Sequence, residues 1–172
     1  SEQVSINIVL KAQVSINLNF LIMAINVDQI KKLRQLTNIS VQECKKALEE
    51  AEGDFEKAQK LLKERGAEMI EKKKERETKE GIIGVYLHQN QKVGAMIKIS
   101  CESDFVARNK IFQDLVHDLA MQVAAMDPKD IDELLEQVYI KDIKKKIKDL
   151  IEEAIVKLGE NIKIEEIKRM EI

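Results

Sequence analysis

The sequence predicts an α+β fold, in which a small antiparallel sheet is covered by helices and is preceded by a helical module. From residue 26 to residue 66, apolar residues recur every three or four positions, which is typical of amphipathic helices. From Gly81 to Cys101 they alternate with other residues, which is typical of strands, and helical spacing then returns. A single proline among 172 residues agrees with a mostly helical chain.

Residues 1–22 differ from the rest of the chain. Apolar residues fall on even positions, and Gln-Val-Ser-Ile-Asn occurs twice, at 3–7 and 13–17. This alternation predicts a strand or a hairpin. A targeting peptide is the competing interpretation, since the segment precedes Met23 and Ala24, which look like a natural start. Because Lys11 is its only positive charge and no basic region precedes the apolar part, we expect residues 1–22 to be an extension of artificial or upstream-reading origin without a role in function.

Residues 24–66 are predicted to form three short helices. The second helix begins at a capping box, in which the Ser40 side chain accepts from the amide of Glu43 and the glutamate reaches back. The apolar face of the first helix comprises Val27, Ile30, Leu33 and Leu36. The inward residues of the second are Val41, Cys44, Ala47, Leu48 and Ala51.

The second and third helices have clear end signals. Gly53 suits the left-handed cap that ends the second helix, and Asp54 caps the third, which we expect to end at Gly66. Three helices in about forty residues have no room for an enclosed active site. The sequence therefore predicts a docking module.

Residues 67–80 are predicted to be a charged helical linker between two modules. They are strong helix formers of both charges with almost no apolar face, which indicates a solvated helix. The lysines at 72–74 suggest nucleic acid, but neighbouring glutamates cancel their charge. The whole chain has 29 basic and 31 acidic residues, so it lacks the concentrated basic footprint that phosphate binding needs. We expect no direct contact with nucleic acid.

Residues 81–172 are predicted to form the α+β core module. Polar residues 88–92 separate two strands of a hairpin, a long helix from Ile111 to the Asp127-Pro128 stop covers it, and the alternating tail 161–172 adds a third strand. Further helices are expected at 131–139 and 141–158, with Ile143 inward. The inner face of the hairpin is predicted to contain Ile83, Val85, Leu87, Val93, Ala95, Ile97, Ile99 and Cys101.

The sequence contains no pattern that supports catalysis, a cofactor or a metal. Neither a GxxxxGK[ST] loop nor a GxGxxG turn is present, and His88 and His117 have no ligand spacing. Cys44 and Cys101 are expected to be buried thiols in a reducing compartment. No apolar run approaches the roughly 20 residues of a membrane helix. We expect a soluble binding protein that is not an enzyme.

The junction between the second strand and the long helix contains an acid beside an aromatic. Asp104 and Phe105 lie there, in a chain with only 3% aromatic residues. From the spacing alone, two interpretations stay open. Phe105 either projects as a binding residue, or it packs into the core while Ser103 or Asp104 caps the helix.

Three stretches resemble the translation elongation factor Ts family, and the similarity spans residues 24–172. The first covers residues 33–58, including Glu-Cys-Lys-Lys-Ala-Leu-Glu-Glu-Ala at 43–51. The second is Cys-Glu-Ser-Asp-Phe-Val-Ala-Arg-Asn at 101–109, where the family usually has threonine at Ser103, and the third is Gly-Glu-Asn-Ile at 159–162. The resemblance implies a cytoplasmic or organellar factor that binds elongation factor Tu, in its GDP-bound and nucleotide-free forms, and accelerates GDP release.

The resemblance also implies which residues contact the partner. Asp104 and Phe105 would form a wedge in the partner's nucleotide domain, with Val106 beside them. In the first module, which would resemble ubiquitin-associated domains, Arg34, Val41, Gln42 and Lys45 match contact positions. Residues 38–42 depart from the family's glycine-containing turn, and segment 128–159 is shorter than in most members and lacks the coiled-coil insertion.

Other functions stay open at this point. A ubiquitin-associated-like adaptor would act through residues 26–66 and have no exchange activity. A ribosome-associated RNA-binding protein would use residues 72–76, although the near-neutral charge argues against it. A homodimer is also left open.

Overall fold

A computed structural model of the protein describes residues 27–37 and 39–172. The prediction for residues 1–22 lies outside these ranges. The described residues combine helices with a small antiparallel sheet, which confirms the α+β class. The chain divides into a first unit that ends at Ala67 and a second that begins at Glu68. No helix within the described ranges is long and apolar enough to cross a membrane.

Three helices make up the described part of the first unit, and the third continues beyond it. They are α1 (Val27–Thr37), α2 (Val41–Glu50) and α3 (Phe55–Lys74). Their apolar faces meet in a small core of Leu33, Cys44, Ala47, Leu48, Ala58 and Leu62, each fully buried. Val27 and Leu36 were expected on the same face as Leu33 but are more than half exposed. The inward face of α1 is therefore narrower than its sequence pattern predicts.

The predicted caps of these helices are present. The Ser40 hydroxyl accepts from the Glu43 amide at 3.3 Å, and Gly53 has a left-handed φ of 83° while its amide donates to the Leu48 carbonyl. The Asp54 carboxylate accepts from two amides at the start of α3, and the bond from Lys57 is the main cause of its lowered pKa. The Glu43 carboxylate lies 3.3 Å from Lys46 instead of reaching back, so the predicted box is a single cap.

We predicted that helix α3 would end at Gly66, but it continues to Lys74. One glycine costs a helix about 1 kcal/mol, and the strong helix formers on both sides outweigh that cost. The predicted linker is also wrong in part: the helix covers only its first half, and the first strand begins at Glu80. Ile70 is 8% exposed and belongs to the core of the second unit, so this stretch is not fully solvated.

The second unit contains a three-stranded antiparallel sheet covered by a long helix. Strand β1 (Glu80–Leu87) pairs with β2 (Val93–Cys101), and β2 pairs on its other side with the predicted third strand. The helix begins after Asn109, whose side chain accepts from the Ile111 amide at 2.9 Å. After a four-residue helix α4 (Asp104–Ala107) come α5 (Lys110–Met126), α6 (Ile131–Glu136), β3 (Val138–Tyr139), β4 (Asp142–Lys146), α7 (Ile147–Leu158) and β5 (Ile162–Glu171).

The inner face of β1 is the opposite of the predicted one. Gly84 lies opposite Ile97, a core residue, so even-numbered residues of β1 face the helix. Ile83, Val85 and Leu87 are each about 60% exposed on the other face. Both faces of this strand carry apolar side chains, so alternation alone could not select the inner one.

A short hairpin of β3 and β4 replaces the end of the helix that we predicted at 131–139 and the start of the one at 141–158. The fully buried Gln122 of α5 donates to the Val138 carbonyl at 3.1 Å and accepts from the Ile140 amide at 3.0 Å. The Tyr139 hydroxyl donates to Asp118 at 2.6 Å. The two bonds to Gln122 satisfy backbone groups that a helix would have paired internally. Ile143, expected inward, is 82% exposed.

Candidate partner-binding site

Helix α4 is a single turn that separates an exposed face from a buried one. It begins at Ser103, whose hydroxyl accepts from the Val106 amide at 3.4 Å. Val106 and Ala107 are buried, whereas Phe105 is 78% exposed. The turn is therefore anchored by its last two residues and presents its first two to solvent. The alternative in which Phe105 packs into the core does not occur in this structure.

Asp104 lies beside Phe105 on the exposed face. Its carboxylate is 2.9 Å from the Arg108 guanidinium, one helical turn later, and both side chains are mostly exposed. An exposed pair of this kind contributes at most about 1 kcal/mol and is screened by salt. Asp104 is thus held in place weakly and is available to a partner that offers a better donor.

Val106 does not fit the contact role that the resemblance implies. Only 3% of this residue is exposed, because it packs into the core of the second unit. A partner could reach it only if the turn opened. We therefore assign Val106 to anchoring the turn.

The four candidates of the first unit all lie at its surface. Arg34 is on α1, while Val41, Gln42 and Lys45 are on α2. Val41, which the helical pattern placed inward, is the first residue of α2 and is 46% exposed. Lys45 lies 3.8 Å from Glu49 in an exposed pair. These residues and the α4 turn belong to different units of the chain.

Sequence reasoning missed Glu160 as part of the site. Its carboxylate accepts hydrogen bonds from the backbone of Glu102 and from Ser103, which directly precede α4. The only signal in the sequence was the stretch at 159–162, which resembles the family but has no chemistry of its own. A glutamate after a helix-ending glycine is too common a pattern to indicate a contact fifty-seven residues away.

The site has the features of an interaction surface. Both thiols, Cys44 and Cys101, are buried, and burial is the main cause of their raised pKa values. Within the described ranges, no cluster of three or more histidine, cysteine, aspartate or glutamate side chains could hold a metal ion. The α+β unit presents an exposed phenylalanine on an anchored turn, which offers apolar area that another protein could bury.

Comparison with known proteins identifies the family. The family model described as elongation factor TS matches residues 102–172. The elongation factor Ts of Thermotoga neapolitana is 41% identical, over 87% of this chain and 98% of that protein, and that of Thermotoga maritima is 42% identical over 87% and 97%. The elongation factor Ts of Aquifex aeolicus is 43% identical over 83% of this chain and 51% of its own length. The chain belongs to the elongation factor Ts family.

The alignment with the Thermotoga proteins also bears on length. It spans 193 positions, which is more than the 172 residues of the whole chain. The Thermotoga proteins therefore contain residues that this chain lacks. The shorter segment at 128–159 stays a prediction.

Proposed function

We propose that this chain binds elongation factor Tu and accelerates its release of GDP. The observation that carries the proposal is the outward Phe105 on a turn anchored by buried Val106 and Ala107. Membership of the elongation factor Ts family supplies the partner, since the family implies elongation factor Tu. No bond is made or broken in such an exchange, so the chain needs surfaces and not catalytic groups.

The proposed mechanism is a difference in affinity. If the chain binds nucleotide-free elongation factor Tu more tightly than the GDP form, linkage requires that it weaken GDP by the same factor. Phe105, with Asp104 beside it, would insert into the partner's nucleotide domain. Burying one phenylalanine contributes roughly 1.5–3 kcal/mol, and about 2 kcal/mol corresponds to a factor of roughly thirty. One side chain can therefore supply a useful part of the coupling.

We further propose that residues 24–66 act as a docking module resembling ubiquitin-associated domains. Its three helices, with the exposed Arg34, Val41, Gln42 and Lys45, support this role. Residues 67–80 would connect this module to the α+β core of residues 81–172. Such a factor would work in the cytoplasm or in an organellar matrix.

A second copy of the chain is a further proposed partner. The outer sheet face, which we define as the side of the sheet away from α5, carries Ile83, Val85, Leu87, Met96 and Met170, all exposed. The exposed charged residues Lys98, Glu166 and Lys168 lie among them on the same face, and apolar patches surrounded by polar residues often mark interfaces. Sedimentation of the parent chain and of Val85→Lys tests this: we expect a dimer for the parent and a monomer for the variant. A parent that stays monomeric at high concentration contradicts it.

Release of labelled GDP from elongation factor Tu tests the proposed function. We expect the parent chain to accelerate release. The variant Arg34→Ala with Lys45→Ala should need a higher concentration for half-maximal effect, by roughly tenfold, while the maximal rate is kept, because docking is weakened and the wedge is intact. An adaptor without exchange activity would leave release at its spontaneous rate, and that result would overturn the proposal.

A further inference from the structure

Two segments that are far apart in sequence hold each other directly beneath the α4 turn. One Glu160 carboxylate oxygen accepts from the amides of Glu102 at 3.1 Å and Ser103 at 3.0 Å, and the other accepts from the Ser103 hydroxyl at 2.6 Å. In return, the Glu102 carboxylate accepts from the Asn161 amide at 2.6 Å. We call these four hydrogen bonds the 102/160 clasp.

The clasp is tied to the end of α3 and to the end of α7. Asn161 is 1% exposed, and its side chain donates to the carbonyls of Lys74 at 3.2 Å and Arg76 at 2.8 Å. Gly159 ends α7 with a left-handed φ of 82°, which turns the chain so that Glu160 meets residues 102 and 103. The support for α4 thus comes from the C-terminal ends of two other helices, α3 and α7, and does not depend on α4 alone.

A four-residue helix cannot hold its own shape, because one turn does not repay the entropy of fixing its backbone. The amides at its start have no partner within the helix. Glu160 accepts, as a carboxylate, from the amides of Glu102 and Ser103 that directly precede the helix, and charge-assisted hydrogen bonds are roughly twice as strong as neutral ones. Phe105 follows the clasped Ser103 by two residues, so the conformation of the clasp fixes where its side chain projects.

We propose that Glu160 is a positioning residue that holds the α4 turn in the conformation that presents Phe105. The proposal rests on the proposed exchange function, in which Phe105 contacts the partner. Glu160 acts through Phe105. If only a fraction of the molecules has the α4 turn in the conformation that presents Phe105, the apparent affinity for the partner is reduced in proportion to that fraction. The molecules that do bind make the same contacts as the parent chain. Loss of the 102/160 clasp should therefore raise the half-saturating concentration of the chain more than it lowers the maximal rate of GDP release.

The first experiment measures GDP release from elongation factor Tu over a range of concentrations of the full chain. Glu160→Ala should raise the half-saturating concentration by about tenfold and keep the maximal rate within about twofold. Glu160→Gln should lie between parent and Glu160→Ala, because its amide oxygen still accepts. The control is Glu152→Ala on the exposed face of α7, which should match the parent. An unchanged half-saturating concentration, or a loss confined to the maximal rate, overturns the proposal.

The second experiment separates positioning from general folding. Far-ultraviolet circular dichroism should show that each variant is fully folded. If Glu160→Ala is not folded, Glu160→Gln is compared with the parent in its place. Amide hydrogen exchange at Ser103 should be at least about tenfold faster in Glu160→Ala than in the parent, whereas amides in the middle of α5 should not change. Unchanged exchange at Ser103 contradicts the clasp.

A double-mutant cycle with Phe105→Ala decides whether Glu160 acts through Phe105. We expect Glu160→Ala to add less than about twofold to the defect of Phe105→Ala. If its full tenfold effect persists in the absence of Phe105, the positioning role is wrong while the proposed function stands. If Phe105→Ala itself exchanges GDP like the parent, the wedge fails, and the positioning role fails with it.

Discussion

Phe105 and Val106 are neighbours with opposite surroundings, 78% and 3% exposed. Their residue types do not predict this, because both are apolar and α4 is too short to show a helical period. The direction of each side chain follows from contacts with distant segments: Val106 packs into the core, and Glu160 fixes the preceding backbone. Sequence reasoning could locate this junction as unusual but could not decide which residue faces outward.

The space around each glycine of the sheet also depends on contacts with distant segments. Gly84 and Gly94 can be compared directly for this reason. A Cβ at Gly84 would overlap Val116 Cγ1 and lie 3.1 Å from the Val116 carbonyl oxygen, whereas a Cβ at Gly94 would meet ordinary contacts at 3.4 and 3.5 Å. We expect Gly84→Ala to lower the free energy of unfolding by about 1–3 kcal/mol and Gly94→Ala to change it by less than about 1 kcal/mol. Urea unfolding measures both. Equal effects would contradict the close packing of β1 on α5.

At the scale of helices and strands, local sequence signals were sufficient to predict some elements and insufficient for others. The caps at Ser40 and Asp54 were predictable because a cap depends only on the next three residues. The inner face of β1 and the β3–β4 hairpin were not, since the register with β2 and the buried Gln122 decide them. The third strand was predictable because the tail alternates and is bounded by Gly159.

The C-terminal end of helix α3 packs into the core of the second unit, which the sequence pattern did not predict. This packing leads to a prediction about stability. Ile70 is 8% exposed within the core of the second unit. Ile70→Ala should lower the free energy of unfolding by about 2–4 kcal/mol, through lost burial and the cavity left behind. Lys72→Ala, on the exposed side of the same turn, should change it by less than about 0.5 kcal/mol. Denaturant titration of the full chain compares them, and similar small effects would support a solvated linker instead.

The junction of α6, β4 and α7 should make stability depend on pH. Glu136 accepts from Lys146 at 2.6 Å and Lys148 at 3.0 Å, and these bonds lower its pKa from 4.5 to about 2. A lowered pKa means that the folded chain favours the charged carboxylate. This contribution is complete above about pH 4.5 and is lost as the pH falls towards 2.

Glu136→Gln removes this contribution. The difference in unfolding free energy between parent and variant should be constant from pH 7 to about 5 and should shrink between about pH 4.5 and 2. Thermal or urea unfolding at several pH values measures it. A difference that does not vary with pH would show that the two lysines do not hold this carboxylate in solution.

At the scale of the whole molecule, the described residues combine a helical first unit with an α+β second unit, and the relatives of the chain are elongation factor Ts proteins. Composition and the absence of catalytic motifs indicated a binding protein, but the partner came only from the family resemblance. Physical reasoning suggests how the chain could bind, because Phe105 on the anchored α4 turn offers apolar area that a partner can bury.

The central claim is tested most directly by stopped-flow release of labelled GDP from elongation factor Tu. The parent chain, Phe105→Ala and Ile143→Ala are compared, because Ile143 is an equally exposed apolar residue, 82% against 78%, outside the α4 turn. We predict that Phe105→Ala remains folded and loses about tenfold or more of the acceleration under subsaturating conditions, while Ile143→Ala resembles the parent. Acceleration by Phe105→Ala at the parent rate would contradict the account.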